Sequence, residues 1–154
     1  MDKIKFSKSV LYAIIIVTAI AFSFFAGCSK TDESGVIEIR ERMFLTQVND
    51  IYLNANDFLG KKVKLEGFIE EYKSDRTYYY VVRKSPGGCC GNDGRIGFEV
   101  RWPEGRRNPF PKNDTWVEAT GVLKPFTANS NQYIFLELDA LNVLNTRGQE
   151  FVTR

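Results

Sequence analysis

"KKVKLEGFIEEYK", residues 61–73, decides the fold class. Val63 and Leu65 alternate with lysines and a glutamate, and Phe68 or Ile69 continues the apolar row. One face of this segment is therefore buried and the other wet, as in a strand of a half-solvated antiparallel sheet. Gly67 interrupts the alternation, as a glycine does where a long strand bends sharply at a barrel corner.

Working outward, "RTYYYVVRK" (76–84) is rich in aromatic and β-branched residues and follows the short turn "KSD". The two segments are expected to pair as an antiparallel hairpin. "RIGFEVRW" (95–102), "DTWVEATGVLK" (114–124) and "QYIFLELDALNVL" (132–144) supply three further strands. The proline-rich "PEGRRNPFPKN" and the polar "PFTANSN" between them read as loops. Upstream, "VIEIRE" (36–41) alternates as a short strand. From Met43 to Phe58 the period lengthens: Phe44, Val48, Ile51, Ala55 and Phe58 step by four and three along one helical face. Asn54, Asn56 and Gly60 suit its C-terminal end.

The pattern predicts an all-β domain with one short helix, a five-stranded OB-fold-like β-barrel over residues 36–145. Its expected core is Val63, Leu65, Tyr79, Val81, Phe98, Val100, Trp116, Val117, Val122, Ile134, Leu136 and Leu138. An open sandwich is the alternative architecture. Residues 146–154 read as a C-terminal tail.

The first 27 residues read as a lipoprotein signal peptide. Lys3, Lys5 and Lys8 precede a charge-free run from Val10 to Gly27, which closes on "FFAGC" with small residues before Cys28. That order marks a secretory leader with a lipidated cysteine. The expectations are lipidation at Cys28, a flexible tether over 28–35, and a location at the cell envelope, on the extracytoplasmic face of a membrane. Removing the leader takes three of 21 basic and one of 19 acidic residues, leaving 18 of each. A domain without net charge is not expected to bind nucleic acid, whose affinity rests on phosphate neutralisation.

"KSPGGCCGNDGRIGF" (84–98) carries the candidate chemistry. Cys89, Cys90 and Asp93 offer two soft donors and one hard donor from a single glycine-rich loop. A zinc ion or another soft divalent metal suits such a set, with Glu99 or Asp75 as a further ligand. A vicinal disulfide acting as a redox accessory is a second reading, since thiols outside the cytoplasm tend to oxidise. A tight structural turn in a pure interaction module is a third. Arg83, Lys84, Arg95, Arg101, Arg106 and Arg107 flank the loop; if they converge, they favour the thiolate and draw anions. Tyr78, Tyr79 and Tyr80 are a possible stacking face, of which alternation buries either the middle ring or its neighbours.

Three stretches, "ERMFLTQVNDIYLNANDFLGKKVKLEGFIEE", "VVRKSPGGCCGND" and "DTWVEATGVL", resemble the C-terminal domain of the YcgQ-like family of permease subunits. The resemblance covers about residues 36–145. It implies an OB-fold-like domain held at a membrane beside a permease. By position, it makes Arg83, Cys89, Cys90 and Asp93 the motif residues.

Overall fold

A computed structural model describes residues 35–86 and 94–152. The leader, Cys28, most of the tether and the loop carrying Cys89, Cys90 and Asp93 lie outside the described residues.

The elements run β1 (Val36–Glu38), a 3-10 turn (Glu41–Met43), α1 (Phe44–Leu53), α2 (Ala55–Phe58), β2 (Lys62–Lys73), β3 (Thr77–Ser85), β4 (Gly94–Arg101), β5 (Trp116–Ala128) and β6 (Asn131–Val143). The sheet order is β1-β2-β3-β4-β6-β5, and β2 also pairs with β5. Five strands thus close into a barrel, in which β2 bridges β3 and β5. β4 and β6 run parallel and touch at only two register positions, while the remaining barrel pairings are antiparallel.

Gly67 sits where β2 changes partner. Residues 62–68 pair with β5, and from Phe68 onward the strand pairs with β3. A Cβ on Gly67 would stand 2.6 Å from the Val82 carbonyl oxygen. The bend therefore needs glycine for close backbone approach, as the alternation suggested.

The helical face behaves as its spacing predicts. Phe44, Val48 and Ile51 are buried in the same core as Val63, Leu65, Val81, Phe98 and Leu136. The single helix expected over 43–58 is broken at Asn54, whose amide side chain donates to Asp50 Oδ1 at 2.7 Å. The Asn54 backbone leaves the helical region at φ −118° and ψ 37°, while its N–H still donates to Asp50 O at 2.9 Å.

Two core assignments shift. Val122 is half-buried and Leu123 takes the inward position, while Tyr79 is half-buried beneath Phe110, ring centroids 4.0 Å apart. "PFTANSN" is not a loop: β5 runs through Pro125 to Ala128 and turns on Asn129 and Ser130, both with positive φ. That is the geometry of a two-residue hairpin. β5 leaves β2 at Val122, so Pro125 lies on an edge where its missing N–H costs no ladder bond.

Residues 149–152 return to the barrel rather than trailing from it. Lys84 N donates to Glu150 O, Val152 N donates to Lys84 O, and Val152 is buried in the main core. Among the described residues the core spans 37–152, so this segment carries its own hydrophobic centre. Among the described residues, no helix is long and apolar enough to cross a membrane.

Candidate functional site

The cysteine loop is the tip of a β-hairpin. β3 and β4 stay in register down to Ser85↔Gly94, so residues 86–93 leave and re-enter through one narrow neck. Gly94 makes the neck possible. A Cβ there would meet Ser85 Oγ at 2.7 Å and the carbonyl oxygens of Ser85 and Pro86 at 3.0 and 3.1 Å.

Arg83 and Arg95, both candidate binding residues, occupy opposite faces of this neck. Arg83 is turned inward and 1% exposed. Its Nε donates to Glu66 O at 2.8 Å, one NH1 hydrogen goes to Gln149 O at 3.0 Å, and Glu41 Oε2 lies 3.7 Å away. The guanidinium also stacks between Phe44 and Trp116, 4.7 and 5.0 Å from their ring centroids. Burial pulls its pKa down from the ordinary value, opposed by Glu41 and Glu66. Arg83 thus clamps β2, β3, the 3-10 turn and the returning C-terminal segment at the point where β2 departs from β3.

Arg95 lies on the outer face, opposite Lys84 in the β3–β4 register. Lys84, Arg95 and Arg147 stand 6.0, 5.7 and 5.9 Å from the centroid of the Phe68 ring. Each is also matched by a carboxylate: Lys84 with Glu150 at 2.8 Å, Arg95 with Glu70 at 3.5 Å, and Arg147 with Asp114 and Glu150. The Lys84 ammonium holds Glu150 below the usual carboxylate range, and the Arg147 guanidinium does the same for Asp114.

The expected basic convergence is therefore partial and, among the described residues, electrically balanced. Arg101 stands at the other end of β4, about 23 Å away at strand rise, in a bidentate pair with Glu99 at 2.6 and 3.0 Å. Arg106 donates to Asp139 O and covers Trp102.

Glu99 and Asp75 are not placed to complete a metal site at the tip. Glu99 is five residues up β4 from Gly94 and engaged by Arg101. Asp75 lies beyond the opposite end of β3, roughly 33 Å along the strand, and accepts a hydrogen bond from the Tyr78 hydroxyl. Among the described residues no three Cys, Asp or Glu converge on one point.

Of the three tyrosines, Tyr79 is the inward one, while Tyr80 stands outward, opposite Glu99 and Glu70 in the sheet register. Tyr52, from α1, joins it there and donates to Gly97 O at 2.7 Å. Burial of that hydroxyl, with smaller contributions from Tyr80 and Glu99, pushes its pKa up to about 12. Arg147, Glu150 and Tyr52 carry no local motif, and only the folded chain brings them to these places.

Residues 25–152 match the family model of the DUF1980 C-terminal domain. The chain belongs to that family. This is the domain type of the YcgQ-like resemblance, and the match to the DUF1980 domain extends through the returning C-terminal segment. No curated protein matches the DUF1980 chain.

Proposed function

We propose that this DUF1980 domain is a lipid-anchored extracytoplasmic binding module that serves a neighbouring permease. It handles a soft divalent metal such as zinc at the thiol-bearing tip of the β3–β4 hairpin. One observation supports the reading: the β3–β4 pairing runs to Ser85↔Gly94, on either side of the short segment that carries Cys89, Cys90 and Asp93. Three donors from one tip leave a coordination position open, which suits exchange of an ion better than permanent structural ligation. The charge balance at the neck favours a neutral or cationic guest over an anion.

The test uses residues 29–154, which carry the whole core, purified under reducing conditions. Elemental analysis should find near-stoichiometric zinc, and a Cys89→Ser/Cys90→Ser variant should lose it. Metal content that is unchanged in the variant removes the proposal. A parent with no metal and no titratable thiols until reductant is added transfers the site to vicinal-disulfide chemistry. For the anchor, palmitate labelling of the full chain should vanish in Cys28→Ser; labelling that persists refutes lipidation there.

A further inference from the structure

Away from the cysteine tip, the outer face of β3–β4, flanked by β2 on one side and the β5–β6 hairpin on the other, carries a groove in two lobes. The first encloses about 490 Å³ between Tyr72, Tyr80, Glu70 and Arg95. The second encloses about 280 Å³ between Tyr80, Glu99, Phe126 and Tyr133. Tyr52 and Tyr80 line both lobes, so the lobes adjoin at these two residues. The volumes lie in the range of small-molecule sites or just below it.

Two properties of this lining define its guest. The first is exposed aromatic surface: Tyr52, Tyr72 and Tyr133 are 47, 59 and 45% exposed, an unusual surplus of ring faces on one side of a small domain. Phe126 stacks against Tyr133 at 5.4 Å, which braces the second lobe. The second is charge pairing. Every carboxylate in the lining has a cation beside it: Glu70 with Arg95 at 3.5 Å, Glu71 with Lys73 at 3.2 Å, and Glu99 with Arg101.

A groove that tracks a phosphate backbone needs uncompensated cations as well as rings. A site for an organic ammonium ion adds uncompensated carboxylates to its ring faces. With Lys73 and Arg101 counted beside the lining, this groove has rings and matched charges. The hydroxyls of Tyr72, Tyr80 and Tyr133 have no hydrogen-bond partner among the described residues, so they remain to be used by a guest. The paired carboxylates and guanidiniums add fixed acceptors and donors at the rim.

The matching chemistry is a neutral molecule with flat C–H faces and a rim of hydroxyls, long enough to cross both lobes. We infer that the Tyr52–Tyr80 groove binds a neutral oligosaccharide, its pyranose rings lying on Tyr72, Tyr80 and Tyr133. OB-type barrels admit oligosaccharides and oligonucleotides on the corresponding strand face; the charge pairing selects the former. The inference does not depend on the cysteine tip.

Binding of maltotetraose, cellotetraose and the β-1,4-linked N-acetylglucosamine tetramer to residues 29–154 is followed by calorimetry and by NMR of the tyrosine rings. At least one tetrasaccharide should bind, moving the Tyr72, Tyr80 and Tyr133 signals. Tyr72→Ala and Tyr133→Ala, both at exposed positions, should each weaken it about tenfold, the scale of an aromatic anchor. The Cys89→Ser/Cys90→Ser variant should bind as the parent does, which separates this site from the metal reading. The inference is overturned if none of the three binds at millimolar concentration, if binding survives both tyrosine substitutions, or if octathymidylate binds and displaces the sugar.

Discussion

Replacing Arg83 by methionine isolates what a buried cation does in this barrel. Methionine keeps an unbranched apolar stem between Phe44 and Trp116, so packing is largely retained while the donors and the charge are lost. The carbonyl of Glu66 then loses its 2.8 Å partner inside the wall, at about 1–3 kcal/mol for an orphaned buried acceptor. Gln149 is an exposed residue whose carbonyl water can reach, so its loss costs less, about 1 kcal/mol. Glu41 is 44% exposed and 3.7 Å from the guanidinium, so it stays hydrated and its orphaning adds under about 1 kcal/mol. Relief of the arginine's desolvation works in the opposite direction. The net expectation is a loss of about 3 kcal/mol, a large share of the 5–15 kcal/mol typical of a domain. Urea unfolding followed by Trp116 emission, with its ring 5.0 Å from the Arg83 guanidinium, reads this directly. The midpoint should fall by roughly 1.5–2 M with little change in slope. Glu41→Gln should move it by less than a quarter as much. The clamp argument fails if Arg83→Met costs under about 0.5 kcal/mol, or if Glu41→Gln costs as much as Arg83→Met.

Gly97→Ala puts a Cβ 2.0 Å from Val81 O, and Gly121→Ala puts one 2.2 Å from Glu137 O. Both should lower the unfolding free energy by about 3 kcal/mol or more, whereas Gly105→Ala, in open space at φ +83, should cost only about 1–2 kcal/mol. On acidification, Asp114 keeps its charge in the folded chain below its ordinary 3.8, while the unfolded chain takes up the proton first. Its contribution is thus present above that value and lost as pH falls through the lower folded one; Asp114→Asn should flatten this part of the acid limb in a pH series of melting curves. At the alkaline end the sign reverses. The unfolded chain releases the Tyr52 proton near 10.0 and the folded chain near 12, so stability should decline between them and less steeply in Tyr52→Phe. Ultraviolet absorbance titration should show one tyrosine ionising only at the top of this range.

The strands, the inward face of the helix and the bend at Gly67 were legible in the chain because side-chain period is a local property. Whether Val63 and Leu65 point inward is settled by which neighbours are charged. The limits of β5 were misread at Pro125 because proline is excluded only where a second partner strand waits for its N–H, and the departure of β2 at Val122 removes that partner. Arg83 looked like a residue waiting for a ligand, since nothing near it in sequence reveals the carbonyls of Glu66 and Gln149 that occupy it. The same holds for Arg95 and Lys84 of the hairpin neck, whose balancing carboxylates on β2 and the C-terminal segment arrive from 25 and 66 positions away. The amino-acid sequence by itself determined the faces of each element and hence the barrel class. Only the tertiary structure decided which charges cancel and which tyrosines share a groove, because barrel closure and strand register set those distances and local alternation does not encode them.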